Sequence, residues 1–135
     1  MSRRLLAPLL LLACQGCARL PPLDAARLSL GAAVLAYDAA LPSVEASRAA
    51  DGQACLAPAV PAAEAEPCLV AVRQRWAPVR AAVERAWASL EAARAVLALA
   101  EAVDAMGGAP AVDKVRAAVL AAVEAVGVAV AGVRP

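Results

Sequence analysis

The chain has 135 residues, enough for one domain, with 13 basic and 12 acidic residues and a formal charge of +1. This near-neutral balance argues against nucleic-acid binding, which depends on a clear basic excess. The 41 alanines, with leucine, arginine and glutamate, favour helix, and isoleucine, phenylalanine, asparagine, threonine and histidine do not occur, a bias typical of a GC-rich genome. We therefore predict an all-α protein.

The first 13 residues have the layout of an export signal. Arg3 and Arg4 give a positive start, and residues 5–13 form a short apolar run. That run cannot cross a hydrocarbon core of about 30 Å, which takes roughly 20 helical residues. A charged start, a short apolar run and small residues at its end are typical of a secretory signal peptide. We predict a cleaved signal peptide over residues 1–13.

The end of this signal carries the sequence Leu11-Leu12-Ala13-Cys14. It resembles the lipobox of bacterial lipoproteins, in which a small residue precedes an acylated cysteine and an aliphatic residue stands three positions before it. The resemblance implies that Cys14 receives a diacylglycerol thioether, that the signal is cut before Cys14, and that the new amino terminus is acylated. Cys17, preceded by the small Gly16, is the alternative acceptor. Ordinary cleavage near Ala18, without lipid, is a second alternative.

An acylated cysteine would place the protein in the cell envelope, on the periplasmic side of a membrane. Two or three acyl chains anchor firmly, at about 0.8 kcal/mol per buried CH₂. By analogy with enteric lipoproteins, Gln15 after the cysteine favours the outer membrane over the inner one. Residues 14–22 form the lipid-anchored tether, because Pro21 and Pro22 stop any helix that runs in from the signal. The folded domain is predicted over residues 23–135.

The first predicted helix covers residues 23–49. Its apolar residues recur at helical spacing along one face. They are Leu23, Leu30, Val34, Tyr37, Leu41 and Val44. Pro42 is expected to kink or end this helix near Leu41.

Residues 50–66 predict a proline-rich loop, with Asp51-Gly52 as a turn signal. Cys55 lies in this loop and Cys68 follows it, with 12 residues between them. Because cysteines of exported proteins usually form disulfides, we predict a Cys55–Cys68 bond that ties the first helix to the second. Cys17 is then left unpaired if Cys14 carries the lipid.

The second predicted helix, residues 67–106, has the most regular pattern in the chain. Spacings of three and four alternate without a slip over four heptads. The residues are Leu69, Val72, Trp76, Val79, Val83, Ala86, Leu90, Ala93, Leu97 and Ala100. Pro78 is expected to kink the helix, and Gly107 or Gly108 to end it in a left-handed conformation.

The third predicted helix covers residues 110–132 and keeps the same alternation. Its apolar residues are Val112, Val115, Val119, Ala122, Val126, Ala129 and Val133. Residues 117–133 carry Glu124 as their one charge, but they are too short and too rich in alanine and glycine for a transmembrane helix. Three amphipathic helices with short links predict an antiparallel three-helix bundle with one long central helix.

The second helix also carries the side chains with the clearest binding potential. Its first half is basic, through Arg73, Arg75, Arg80 and Arg85. These arginines form either a solvated face or a contact surface for anionic lipid headgroups or an acidic partner. Trp76 and Trp87 are 11 residues apart and so lie on nearly the same side, which we interpret as two anchors of the core.

The residue inventory argues against catalysis. Acidic residues are scattered along the helices, and the sequence has no histidine, no Ser/His pair and no glycine-rich phosphate loop. We expect no cofactor and no metal, since zinc sites need clustered Cys or His. The sequence favours a small, lipid-anchored, non-catalytic cell-envelope protein that acts through membrane-surface contacts, an envelope partner or self-association. A secreted soluble helical binding protein and a phage spanin-type lysis lipoprotein are the alternatives.

Overall fold

Three helices form the described part of the chain. The computed structural model describes residues 20–132, with α1 at Pro22–Cys55, α2 at Ala62–Ala105 and α3 at Val112–Ala131. Each helix packs against the other two, and residues 20–132 contain no strand. The predicted all-α three-helix bundle is confirmed. With 44 residues, α2 is the longest element and spans about 66 Å at 1.5 Å per residue.

The core lies along the apolar stripes that the sequence predicts. All of its fully buried side chains are apolar apart from the hydroxyl of Tyr37, and many are alanines. They are Leu30, Ala33, Tyr37, Ala82, Ala86, Leu90, Ala93, Leu97, Ala100, Val115, Val119, Ala122, Val126 and Ala129. Small side chains at these positions let the helices approach closely, so the core is thin.

Three prolines lie inside helices, at positions where the sequence predicts a kink or a break. They are Pro42 in α1 and Pro67 and Pro78 in α2. Each removes the N–H that would donate to the carbonyl four residues earlier. The residues that carry these carbonyls are Asp38, Ala63 and Gln74. All three are solvent-exposed, so water can donate in place of the missing N–H and both helices continue.

The proline-rich loop is shorter than predicted. It covers residues 56–61 rather than 50–66, because α1 runs on past residue 49 and α2 begins before residue 67. The turn signal Asp51-Gly52 lies within α1. The Asp51 carboxylate accepts a hydrogen bond from Trp76 in α2 and does not stabilise a local turn. Pro61 precedes α2 with φ −58° and ψ 139°, an extended conformation that suits proline just outside a helix.

The connection from α2 to α3 is closed by a glycine in a left-handed conformation. Gly107 has a φ of 77°, which favours glycine because a side chain would be strained there. Its N–H donates to the Asp104 carbonyl at 2.9 Å, and the Gly108 N–H donates to the Val103 carbonyl at 2.9 Å. This pair of bonds is a Schellman motif and ends α2 cleanly. The third helix, predicted over 110–132, agrees with α3 to within two residues.

Because α3 is the shortest helix, it covers only part of α1 and α2. Gly132, directly after α3, faces Val79: a Cβ atom on Gly132 would lie 3.8 Å from the Val79 Cγ2 atom. Within the described residues, α1 and α2 continue past this point as a pair. We call residues 46–78, which hold the end of α1, the loop and the start of α2, the arm. The rest of residues 20–132 is the body.

None of the helices within residues 20–132 has the length and apolar character needed to cross a membrane.

Candidate functional site

A disulfide joins the two helices of the arm near its tip. Cys55 and Cys68 are 13 positions apart, and their Cα atoms are separated by 5.6 Å, within the usual range for a disulfide. Cys55 is the last residue of α1 and is 1% exposed, while Cys68 lies in the second turn of α2 and is half-buried. The structure thus brings together Cys55 and Cys68, the two cysteines that are predicted to form a disulfide in an exported protein.

A polar cluster around Asp51 links the same two helices about one to two helical turns further from the tip than the disulfide. The Trp76 indole Nε1 donates to Asp51 Oδ2 at 2.7 Å, and the Arg75 guanidinium lies 3.1 Å from the same oxygen. The carboxylate therefore satisfies the indole donor, which half-buried tryptophans usually require. Sequence reasoning misses Asp51, because the glycine that follows it predicts a turn.

The apolar core of the arm is small. Its buried side chains are Cys55 and Val72, and Leu69 and Trp76 are half-buried beside them. Two short helical segments with so little buried surface have marginal stability in water, because most helix stability in proteins comes from tertiary packing. The disulfide closes a short loop, and the chain-entropy model predicts that closing a loop of this size stabilises the folded state by about 3 kcal/mol. The covalent bond is therefore a major part of what holds the arm together.

Carboxylates accompany three of the four predicted arginines. The pairs are Arg73–Glu66 at 3.7 Å, Arg75–Asp51 at 3.1 Å and Arg80–Glu84 at 3.6 Å. These arginine side chains are 64% to 73% exposed, so each pair contributes about 0–1 kcal/mol at most. Arg85 is also exposed. The surface is accessible but less basic than the arginine spacing indicates, and its contact with headgroups or an acidic partner stays a prediction.

The two tryptophans lie in different environments. Trp76 is half-buried in the arm, but Trp87 is 47% exposed, so the prediction that Trp87 anchors the core is wrong. Ala86, fully buried, takes the core position at that level, and its neighbour Trp87 points away from the centre of the core. Trp87 packs at the edge of the core, with its ring centroid 5.9 Å from that of Tyr37 and 5.7 Å from the Arg94 guanidinium carbon.

The opposite end of the bundle carries a shallow cleft of about 320 Å³. The Arg27 guanidinium donates to Glu101 Oε1 at 2.8 Å and 3.1 Å and to Asp24 Oδ1 at 3.1 Å. The hydrogen bond to Glu101 raises the pKa of Arg27 above its ordinary value. Further lining residues are Pro21, Pro22, Leu23, Asp104, Ala105, Pro110 and Val112. These contacts place the beginning of α1 beside the end of α2.

Residues 20–132 contain no group of three or more His, Cys, Asp or Glu side chains that could hold a metal ion. The predicted signal peptide and both candidate acylation sites, Cys14 and Cys17, lie outside the described residues. Comparisons of the chain with protein-family models, with curated proteins and with solved structures find no match.

Proposed function

We propose that the protein is a small lipid-anchored protein of the cell envelope that acts without catalysis, through contacts made by its arm. The supporting observation is that the two ends of the bundle differ. The chain enters at the end where Arg27 meets Glu101, and the disulfide and the Asp51 cluster lie at the other end. An anchor at Cys14 would therefore hold the entry end near the membrane and leave the arm free to meet a partner.

The dimensions of the chain support this arrangement. The tether from Cys14 to Pro22 reaches at most about 28 Å when fully extended. Along α2, the arm residue Arg73 stands roughly 42 Å from Glu101 at 1.5 Å per residue. A bundle standing on its anchor thus holds Arg73 well away from the anchoring membrane. We therefore favour an acidic group on a protein partner over headgroups of the anchoring leaflet as the contact of the arm arginines.

The secreted binding protein is the second candidate, and the cleft beside Arg27 is the feature that favours it. A ligand in this cleft would meet the Arg27 guanidinium and the carboxylates of Glu101 and Asp104. This candidate needs no lipid, so the state of the mature amino terminus separates the two functions.

Mass spectrometry of the mature protein tests the anchor. We expect an acylated Cys14 at the amino terminus, and a Cys14→Ala variant that leaves the membrane fraction. Cys17→Ala is the matched control and should keep the lipid. An unmodified terminus near Ala18 would contradict the lipoprotein proposal and favour the secreted binding protein.

A second experiment tests the direction of the arm. The acylated protein is bound to vesicles that carry a headgroup-attached energy acceptor, using variants with one tryptophan each. Trp87, in the body, should transfer energy to the vesicle surface more strongly than Trp76, in the arm. Equal or reversed transfer would contradict an outward-pointing arm, whatever the state of Cys14.

A further inference from the structure

The arm differs from the body in the kind of bond that maintains it. The body is enclosed by three helices, whereas the arm has two helices, two buried residues and a disulfide near its tip. We infer that the arm is a redox-sensitive element: reduction of the Cys55–Cys68 bond unfolds the arm while the body stays folded. This inference goes beyond the proposed function and does not require the lipid anchor.

The local sequence of the arm supports this separation. In α1 the last turns contain Asp51 and Gly52, which are weak helix formers. In α2 the first half contains Pro67 and Pro78, each of which removes one backbone hydrogen bond. These residues lower the helix stability of both segments, and no third helix lies beside the segments within the described residues. The region that opens first in such a protein is the one with the fewest buried apolar contacts.

The position of the disulfide also allows a reductant to reach it. Cys68 is half-buried and Cys55 is 1% exposed, so an attacking thiolate meets Cys68 first. Attack of one thiolate of a dithiol reductant on the Cys68 sulfur releases Cys55 as a thiolate, which takes up a proton. The second thiol of the reductant then displaces Cys68. The protein gains two electrons and two protons, and the dithiol becomes a disulfide.

The experiment is hydrogen exchange followed by mass spectrometry, with and without dithiothreitol. After reduction we expect amide protection to be lost in residues 46–55 and 62–78. Protection in residues 82–105 and 112–131 should be retained. In a Trp87→Phe variant, Trp76 emission should shift to the red on reduction, as the indole leaves Asp51.

A Cys55→Ser/Cys68→Ser variant makes the test independent of how readily dithiothreitol acts. Its arm should lack protection with or without reductant, and its body should match that of the oxidised protein. A protected arm in this variant would overturn the inference. Loss of protection in the body together with the arm would also overturn it, because the two regions would then unfold as one unit.

Discussion

The body and the arm are built from the same two helices, yet they are stabilised differently. In the body, α3 closes the third side, and apolar residues such as Leu90 and Val115 are almost completely buried. In the arm, none of residues 20–132 supplies a third helix, and a disulfide and the polar cluster of Asp51 with Trp76 link the other two. In this protein the three-sided enclosure by helices accounts for most of the buried core. In the arm, the disulfide and the polar cluster supplement a small buried surface.

The largest change in stability is expected from a substitution that creates a cavity in the body. Leu90 is fully buried at the centre of the core, and Leu90→Ala should lower the free energy of unfolding by about 2–5 kcal/mol. Circular dichroism of the oxidised protein during thermal or urea denaturation measures this loss. Leu99→Ala is the control, since Leu99 is 68% exposed and its truncation should change stability little. Equal losses in the two variants would contradict the observed core.

A smaller, local effect is expected from Asp51→Ala. The change leaves the Trp76 N–H and the Arg75 guanidinium without their shared acceptor, which should destabilise the arm by about 1 kcal/mol. Hydrogen exchange should show faster opening in residues 46–55 and 62–78, with the body unchanged. Glu45→Ala, which removes an exposed carboxylate elsewhere on α1, is the matched control. If Glu45→Ala raises hydrogen exchange in the arm as much as Asp51→Ala does, the cluster around Asp51 does not stabilise the arm.

Gly52→Ala should strengthen the arm. Gly52 lies inside α1, and a Cβ atom there would meet no heavy atom within 4 Å. Alanine should therefore stabilise the arm by about 0.5–1 kcal/mol, through better helix propensity and a less flexible unfolded chain. Increased amide protection near residue 52 would show the gain. Gly107→Ala should instead destabilise the protein, because Gly107 has a φ of 77°. Stabilisation by both substitutions would refute the assignment of Gly107 as the left-handed cap.

The smallest change in stability is expected at alkaline pH, where a tyrosine of the body loses its proton. Burial, with a lesser effect of Asp38, raises the pKa of Tyr37 above its ordinary value of 10.0. The folded protein then holds this proton more tightly than the unfolded chain, so the stability contribution is complete below pH 10.0 and declines as the pH rises through the pKa of the folded state. Tyr37 is the one tyrosine, so tyrosinate absorbance follows it directly. Reduction of the disulfide should leave this titration unchanged, and a fall in the pKa to its ordinary value on reduction would show that the body depends on the arm.

Much of the body could be predicted from the sequence. The alternation of three and four residues identified the buried face of α2, from Val72 to Ala100, because the geometry of a helix relates spacing to direction. The pairing of Cys55 with Cys68 followed from the inferred export. The separation of 11 residues between Trp76 and Trp87 misled, since the alternation had already placed Ala86 on the buried face and Trp87 lies beside that face.

The boundaries of the arm could not be predicted in this way. Asp51-Gly52 and Pro67 are local signals for a loop, and locally they would form one. In the structure Asp51 meets Trp76, 25 residues away, and the residues whose carbonyls lose a donor to the prolines are solvent-exposed. The helical character of the chain and the buried face of each helix follow from residues a few positions apart, so the pattern of residue types predicts both. The ends of α1 and α2, and the arm that α3 leaves uncovered, depend on contacts between distant residues and become visible only when the helices pack together.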